Sequence, residues 1–534
     1  MTYSDDQLLY LRPNVQVEPL VDQWYAWAHL IPPATAARNM TQRHLQIMDS
    51  YISAPDVHAS AVKNPKMLGG PFIDYDGQRV DDVKALRERT QKARPHLMAL
   101  SDAIVELDAM LQSTAKGFAL TELYPRVPEA LRGYVELVYD LNNHPSFRLL
   151  EALLYKSRYY DPSLQSLMLS TISGDDRPFV LSTPRLDSPD TFNWDVRFAD
   201  ASVDDLFRLK TTPQPYGAIR ELVGATNGST DVFTRFLTPD APPPYAPYRG
   251  GAARWRYFGH ACVLVETAGT SLLFDPVLSY TYDTQIARYT YQDLPDEIDY
   301  VLISHNHQDH VLFETLLQIR HKVRHIIVPR NGGGALQDPS LKLLLRRVGF
   351  ENVIELDDMD AIDIDNGSIT ALPFFGEHHD LDVRTKAAYL VRIGSHSMLF
   401  GADSCNIEHK MYENLHADVG DIDVLFLGME CNGAPLSWLY GPLLTQPLDR
   451  AMDRSRRGAG SNYEQAVKIV GQFGCREVYV YAMGQEPWLN YVMSLKYTEQ
   501  SRPIVDSNRL IAACRERGIR AERLFGEREI LLPE

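Results

Sequence analysis

Cysteine is scarce in this chain. There are five in 534 residues (Cys262, Cys405, Cys431, Cys475 and Cys514), widely spaced, odd in number and all after residue 260. No Cys-x-x-Cys pair occurs, so neither a disulfide framework nor a zinc knuckle is indicated, and a reducing cytoplasm fits best. Long apolar runs are missing too: nothing approaches the roughly 18 consecutive apolar residues of a membrane span. The opening Met1-Thr-Tyr-Ser-Asp-Asp lacks a basic region followed by an apolar one, so no signal peptide is read. Basic excess is also absent. A net charge of −17 argues against nucleic acid, whose phosphates require a positive footprint. There are no internal repeats, and Gly332-Gly-Gly334 is not followed by Gly-Lys-Ser/Thr, so it is read as a loop and not a phosphate cradle.

What remains is an ordinary globular composition, too long for a single core. Two domains are expected, 1–245 and 246–534. The boundary is the proline-rich Pro239-Asp-Ala-Pro-Pro-Pro-Tyr-Ala-Pro-Tyr-Arg-Gly-Gly251, whose stiffness suits a linker or strap. The first half reads as mixed and mainly helical. Leu97, Leu100, Ile104, Leu107 and Leu111 recur at helical spacing behind Pro95. Further helices are expected from Pro128 and over Phe147–Tyr155, and a β-like run at Phe179–Ser182. Nothing catalytic stands out there.

After Gly251 short apolar strands alternate with turns and helices: Trp255–Phe258, Cys262–Glu266, Ser271–Asp275, Tyr300–Ile303, His325–Val328, Ser368–Leu372, Ala388–Ile393, Ser397–Phe400, Val424–Leu427 and Val478–Tyr481. Helical segments such as Tyr463–Gly471 lie between them. The fold class expected is α/β, with strand-rich halves each covered by helices in a four-layer α/β/β/α sandwich.

The chemistry is concentrated after Tyr300-Val-Leu-Ile-Ser304, where the chain runs His305-Asn-His307-Gln-Asp309-His310. This H-x-H-x-D-H run supplies two sets of nitrogen and oxygen ligands. His305 and His307, one strand period apart, would face one ion. Asp309 and His310 would reach a second. Gly401-Ala-Asp403-Ser-Cys405 supplies a bridging aspartate. In Phe374-Phe-Gly-Glu377-His378-His379-Asp380, a hydrolase would use His378 or His379, whereas an iron site would use Glu377, a hard anionic donor that stabilises oxidised iron. His409 and His416 fall in a helix-like stretch, and the 118 residues after His416 hold no histidine. A late histidine ligand is therefore missing.

From Arg254 onward the chain resembles the metallo-β-lactamase fold, with Asp275 in the early Phe-Asp-Pro element. Its ligand set, linker position and length together are similar to the diiron β-hydroxylases of chloramphenicol biosynthesis, a likeness extending over the whole chain. That resemblance implies two oxygen-bridged non-haem irons held by His305, His307, Asp309, His310, Glu377 and Asp403. It also implies O2 as co-substrate, an external electron donor, and a catalytic role for Glu377. The substrate implied is an aryl amino acid, p-aminophenylalanine, bound as a phosphopantetheine thioester to a nonribosomal peptide synthetase carrier domain. The N-terminal domain of the family supports dimerisation, so a homodimer without membrane or nucleic-acid partners is expected. Trp438 and Tyr440 are candidates for the substrate channel. Glu430, His378 and His379 are candidates for an extra acidic ligand or for orienting Glu377. The alternatives are a dinuclear zinc hydrolase acting on an ester, lactam or thioester through a metal-bound hydroxide, and a scaffold that merely retains the fold.

Overall fold

The computed structural model describes residues 3–225, 230–251 and 253–533. Two seven-stranded sheets form the second half. The first runs Val353–Leu356, Val323–Pro329, Ile298–Leu302, Ser271–Phe274, Cys262–Glu266, Ala253–Gly259, Arg528–Leu532. The second runs Ala361–Ile364, Gly367–Leu372, Ala388–Ile393, His396–Phe400, Val424–Gly428, Glu477–Tyr481, Arg520–Arg523. Each combines antiparallel hairpins with a run of parallel strands.

Strand periodicity explains the layering. Successive side chains point to opposite faces, and both faces of central strands such as Cys262–Glu266, Ser271–Phe274 and Val424–Gly428 are apolar and buried. Val263, Val265, Leu272 and Phe274 of the first sheet meet Met398, Phe400, Val424 and Phe426 of the second. Phe274 and Phe400 stack at 3.7 Å, and Phe400 stacks on Phe426 at 4.7 Å. The intervening Leu399, Leu425, Leu427, Val478 and Val480 point outward into a separate core with residues of the helices His409–Val419, Tyr463–Gln472 and Arg502–Glu516. The outward Leu264, Leu273 and Val301 pack with Phe313, Leu316 and Leu344 of the helices Phe313–Ile319 and Leu341–Arg347. The result is the expected α/β/β/α sandwich.

The N-terminal half closes over that last layer. Leu9, Val17, Tyr25, Leu167, Phe198 and Phe207 share one continuous core with Leu273, Phe313 and Leu316. Buried charge joins the halves as well. Arg177 lies 2.9 Å from Glu18 and 2.8 Å from Glu314, and Tyr25 and Tyr280 both donate hydroxyls to Glu314.

Helix Pro95–Thr114 forms as its spacing dictates, with Leu97, Leu100, Ile104, Leu107 and Leu111 all buried. Three other expectations are corrected. After Pro128 only a single turn, Glu129–Leu131, is helical; the chain then enters a hairpin of Val135–Tyr139 with Pro145–Leu149. Phe147 belongs to that second strand, and the helix over Phe147–Tyr155 shrinks to Glu151–Leu154. Cross-strand pairing of Leu137 with Phe147 and Val135 with Leu149 outcompetes the helical reading of the leucines. Phe179–Ser182 forms no strand; instead the Val180 N–H donates to the Tyr491 carbonyl. Residues 240–250 carry neither helix nor strand. The segment is pinned by Tyr245, whose hydroxyl donates to Glu266, a carboxylate also held by Arg254 and Arg256.

Candidate metal centre

The site lies where strands of both sheets end. Ser271–Phe274 runs into Asp275, Ile298–Leu302 into residues 304–310, His396–Phe400 into Asp403, and Val424–Gly428 into Glu430. Strand ends gather such loops because the backbone leaves its ladder there, as at the carboxyl edges of other α/β sheets. The strand period therefore does not aim His305 and His307: the strand has already ended at Leu302. A tight turn brings them together, with His305 Nε2 3.2 Å from His307 Nδ1.

Hydrogen bonds settle which nitrogens face inward. Asp275, itself at φ 35°, accepts the Ser304 N–H at 2.7 Å and the Ser304 hydroxyl at 2.6 Å. Its second oxygen lies 2.8 Å from His310 Nδ1. A carboxylate only accepts, so His310 Nδ1 carries a proton and Nε2 is left facing Asp403 Oδ2 at 3.1 Å. Ser304 Oγ has spent its proton on Asp275 and accepts from His305 Nδ1 at 2.9 Å. His305 Nε2 thereby presents a lone pair 3.6 Å from Asp403 Oδ2.

Glu377 joins through His307, its Oε1 3.2 Å from His307 Nδ1. Its loop is strained: Gly376, Glu377, His379 and Asp380 all have φ between 56° and 92°, a cost paid mainly at functional sites. Gly458 covers the carboxylate, and a Cβ there would lie 3.0 Å from Glu377 Oε1.

Lone pairs and anionic oxygens crowded this closely repel unless a cation sits among them. Glu377 Oε2 and Asp403 Oδ1 are buried and find no hydrogen-bond partner among the described residues. Burial, then Asp403 and Asp309, pushes the Glu377 carboxyl far above the usual carboxylate range. Burial depresses His305 well below an ordinary imidazole and His307 to about 4. At His310 burial works in the same direction but is outweighed by Asp403, Asp275 and Asp309, which hold it well above. At Asp309 burial opposes ionisation, yet His310 and His260 pull the carboxyl below its ordinary value. His305, His310 and Asp403 form one group able to hold a metal ion, and His260, Asp309 and His310 another. The donor set of imidazoles and hard carboxylates fits two adjacent ions of the first transition row.

The other candidates are distributed around this centre. The Tyr440 hydroxyl is 3.4 Å from His307 Nε2. Trp438 lies farther out, 36% exposed and packed on Gly69. The His378 ring is 4.5 Å from that of His307, and neither of its nitrogens finds a partner among the described residues. His379 Nε2 donates to the Ala434 carbonyl at 2.9 Å. Glu430 is near enough that, after burial, Glu377 and Asp403 raise its carboxyl well above normal. His409 and His416 sit on the helix His409–Val419, with His416 bonded to Asp421.

Two residues escaped the sequence reading. His260, in the turn between the strands Ala253–Gly259 and Cys262–Glu266, lies 3.0 Å from Asp309 Oδ2. His29 brings the N-terminal half to the site: it is 1% exposed, its ring is 5.8 Å from Tyr440, and both nitrogens lack partners among the described residues. Burial, then Arg43 and His307, lowers it to about 3. A lone histidine in the otherwise apolar run Trp24-Tyr-Ala-Trp-Ala-His29 was the available signal.

Residues 10–242 match the family model described as the diiron non-heme beta-hydroxylase N-terminal domain, and residues 270–476 match the beta-lactamase superfamily domain. The 4-amino-L-phenylalanyl-(CmlP-peptidyl-carrier-protein) 3-hydroxylase of Streptomyces venezuelae is 40% identical over 98% of this chain and 99% of its own. The crystal structure of CmlA, a diiron beta-hydroxylase from Streptomyces venezuelae, superposes with a TM-score of 0.93 at 40% identity, covering 99% of this chain and 100% of that one. A glutamate-to-aspartate mutant of the CmlA beta-hydroxylase gives 0.91 at 39% identity over 98% of this chain and 100% of its own.

Proposed function

The chain belongs to the diiron non-haem β-hydroxylase family, and from that premise we propose that it hydroxylates the β-carbon of an aryl amino acid, 4-aminophenylalanine or a close analogue, tethered to a carrier domain. The named substrate of its relative, a carrier-bound 4-amino-L-phenylalanyl group, supports this reading. Of the features in the site, one carries the oxygenase chemistry: the Glu377 carboxylate, 3.2 Å from His307 Nδ1, is a hard anionic donor beside a pair of imidazoles.

His305, His307 and Glu377 would hold one iron, Asp309 and His310 the other, with Asp403 between them. Two irons so held supply the activation of O2. The balance requires O2, two electrons and two protons for each C–H bond converted to C–OH, with one water released, so an external electron donor completes the system. The protein contributes position and exclusion of water. Asp275 and Ser304 fix the imidazole tautomers. Tyr440 and His378 lie against His307, and His29 against Tyr440, where they would orient the aryl amino acid against the metals. A phosphopantetheine arm would enter past the segment bearing Trp438. Among the described residues no helix is long and apolar enough to cross a membrane, and all five cysteines are free and buried, which supports a cytoplasmic enzyme. Exposed Leu141 and Phe118 of the N-terminal half, the latter's carbonyl bonded by Tyr139 of the strand leading to Leu141, support a homodimer through that surface.

The test is to present iron-loaded protein, a reductant and isotopically labelled O2 with a carrier charged with 4-aminophenylalanine. The expected product is a carrier-bound amino acid heavier by one labelled oxygen atom. Release of the free amino acid with no oxygen gained would instead favour thioester hydrolysis.

A further inference from the structure

His260 is fully buried, in a turn where its φ of 51° follows Gly259 at 114°. The turn is held from the opposite sheet. Ala482 donates its N–H to the His260 carbonyl at 2.8 Å, and Gly484 donates its N–H to His260 Nδ1 at 3.2 Å. A backbone N–H can only donate, so His260 Nδ1 presents a lone pair. That places the proton of the neutral ring on Nε2. Nε2 points at Asp309 Oδ2, 3.0 Å away.

We propose that His260 is a positioning residue for Asp309. Fixed as the Nε2–H tautomer by the Gly484 amide, it donates to the Asp309 carboxylate and is withheld from the metals. This inference rests on the reading of Asp309 as a metal ligand. Distance alone would make His260 a ligand, since its ring, Asp309 and His310 offer donor atoms within one small sphere. The Gly484 bond decides otherwise, because a protonated nitrogen has no pair to give. The strand Glu477–Tyr481 runs out beside this turn into Ala482-Met483-Gly484, none of which bears a nitrogen donor in its side chain. The backbone there grips His260 instead. An imidazole within reach of Asp309 and His310 is thereby kept off the metals.

Hydrogen positions test this directly. Neutron diffraction from deuterium-exchanged crystals of the iron-loaded protein should show deuterium on His260 Nε2, directed at Asp309, and none on Nδ1. Deuterium on Nδ1, or an iron–Nε2 bond, would overturn the proposal. Two variants read its consequence: His260→Leu removes the donor, and His260→Gln keeps an N–H of similar reach. The leucine variant should lose affinity for one iron by roughly 10–100-fold, the usual effect of removing a partner of a metal ligand. Its Mössbauer spectrum should be depleted in one iron signal, and glutamine should restore it. A leucine variant with both irons and an unchanged spectrum would sink the idea. Wild-type protein that takes up no iron would count against the reading of Asp309 as an iron ligand alone, since neutron diffraction from metal-free crystals still reads the tautomer.

Discussion

Asp275 Oδ2 lies 2.8 Å from His310 Nδ1, and the same carboxylate takes both the N–H and the hydroxyl of Ser304. One buried aspartate thus sets the orientation of the loop and the tautomer of two of its imidazoles. Asp275→Asn has one acceptor oxygen for three donors. Iron affinity, measured by chelator competition, should fall by about 10–100-fold with the circular dichroism unchanged. Unaltered affinity would mean that the loop orients itself.

Arg177 bridges Glu18 of the N-terminal half and Glu314 of the helix that follows the metal loop, all three side chains at most 6% exposed. Arg177→Met would leave Glu314 without its cation in a site that excludes water. The expected cost is about 3–5 kcal/mol, read by chemical denaturation. Because one core spans both halves, unfolding should remain a single transition. Two separate transitions would show that the halves are energetically independent.

Glu151, against Asn331 and the Ser340 N–H, is pushed up to about 7 by burial, with Asp338 adding to the shift and its hydrogen bonds opposing it. Its folded value exceeds the unfolded one, near 4.5, so the native state binds the extra proton. Stability from this group is therefore full below pH 4.5 and declines as pH rises through 7. A shift of this size corresponds to about 3 kcal/mol. Glu151→Gln should melt progressively higher than wild type as pH is raised across that window, and a pH-independent difference would contradict the assignment.

Leu141 is fully exposed at the tip of the N-terminal hairpin, near Phe118 in the same half at 81%. If this surface meets a second copy, Leu141→Lys should shift sedimentation from dimer toward monomer at micromolar concentration. Wild-type protein that sediments as a monomer would remove the dimer.

Much of this was legible in advance for definite reasons. Strands such as Cys262–Glu266 and Val424–Gly428 announce themselves because both faces are apolar, and the Leu97–Leu111 stripe because its spacing fits only a helix. His305 to His310 are contiguous, so their chemistry survives without knowledge of the fold. Residues 128–155 misled because leucines at helical spacing also alternate, and only the pairing of Val135 with Leu149 decides. His260 and His29 were harder to read for another reason. Each stands alone among apolar neighbours in sequence, and reaches the centre only when the second sheet and the N-terminal half are in place. The role of Asp275 required hydrogen-bond directions that no spacing encodes.

The account depends most on Glu377 serving iron. Elemental analysis with Mössbauer spectroscopy on protein purified without oxygen, beside its Glu377→Ala variant, tests that directly. The prediction is a pair of irons per chain in the wild type and, in the variant, a disturbed iron spectrum with hydroxylation abolished. Active wild-type protein carrying zinc and no iron, or a variant with the wild-type spectrum and turnover, would contradict it.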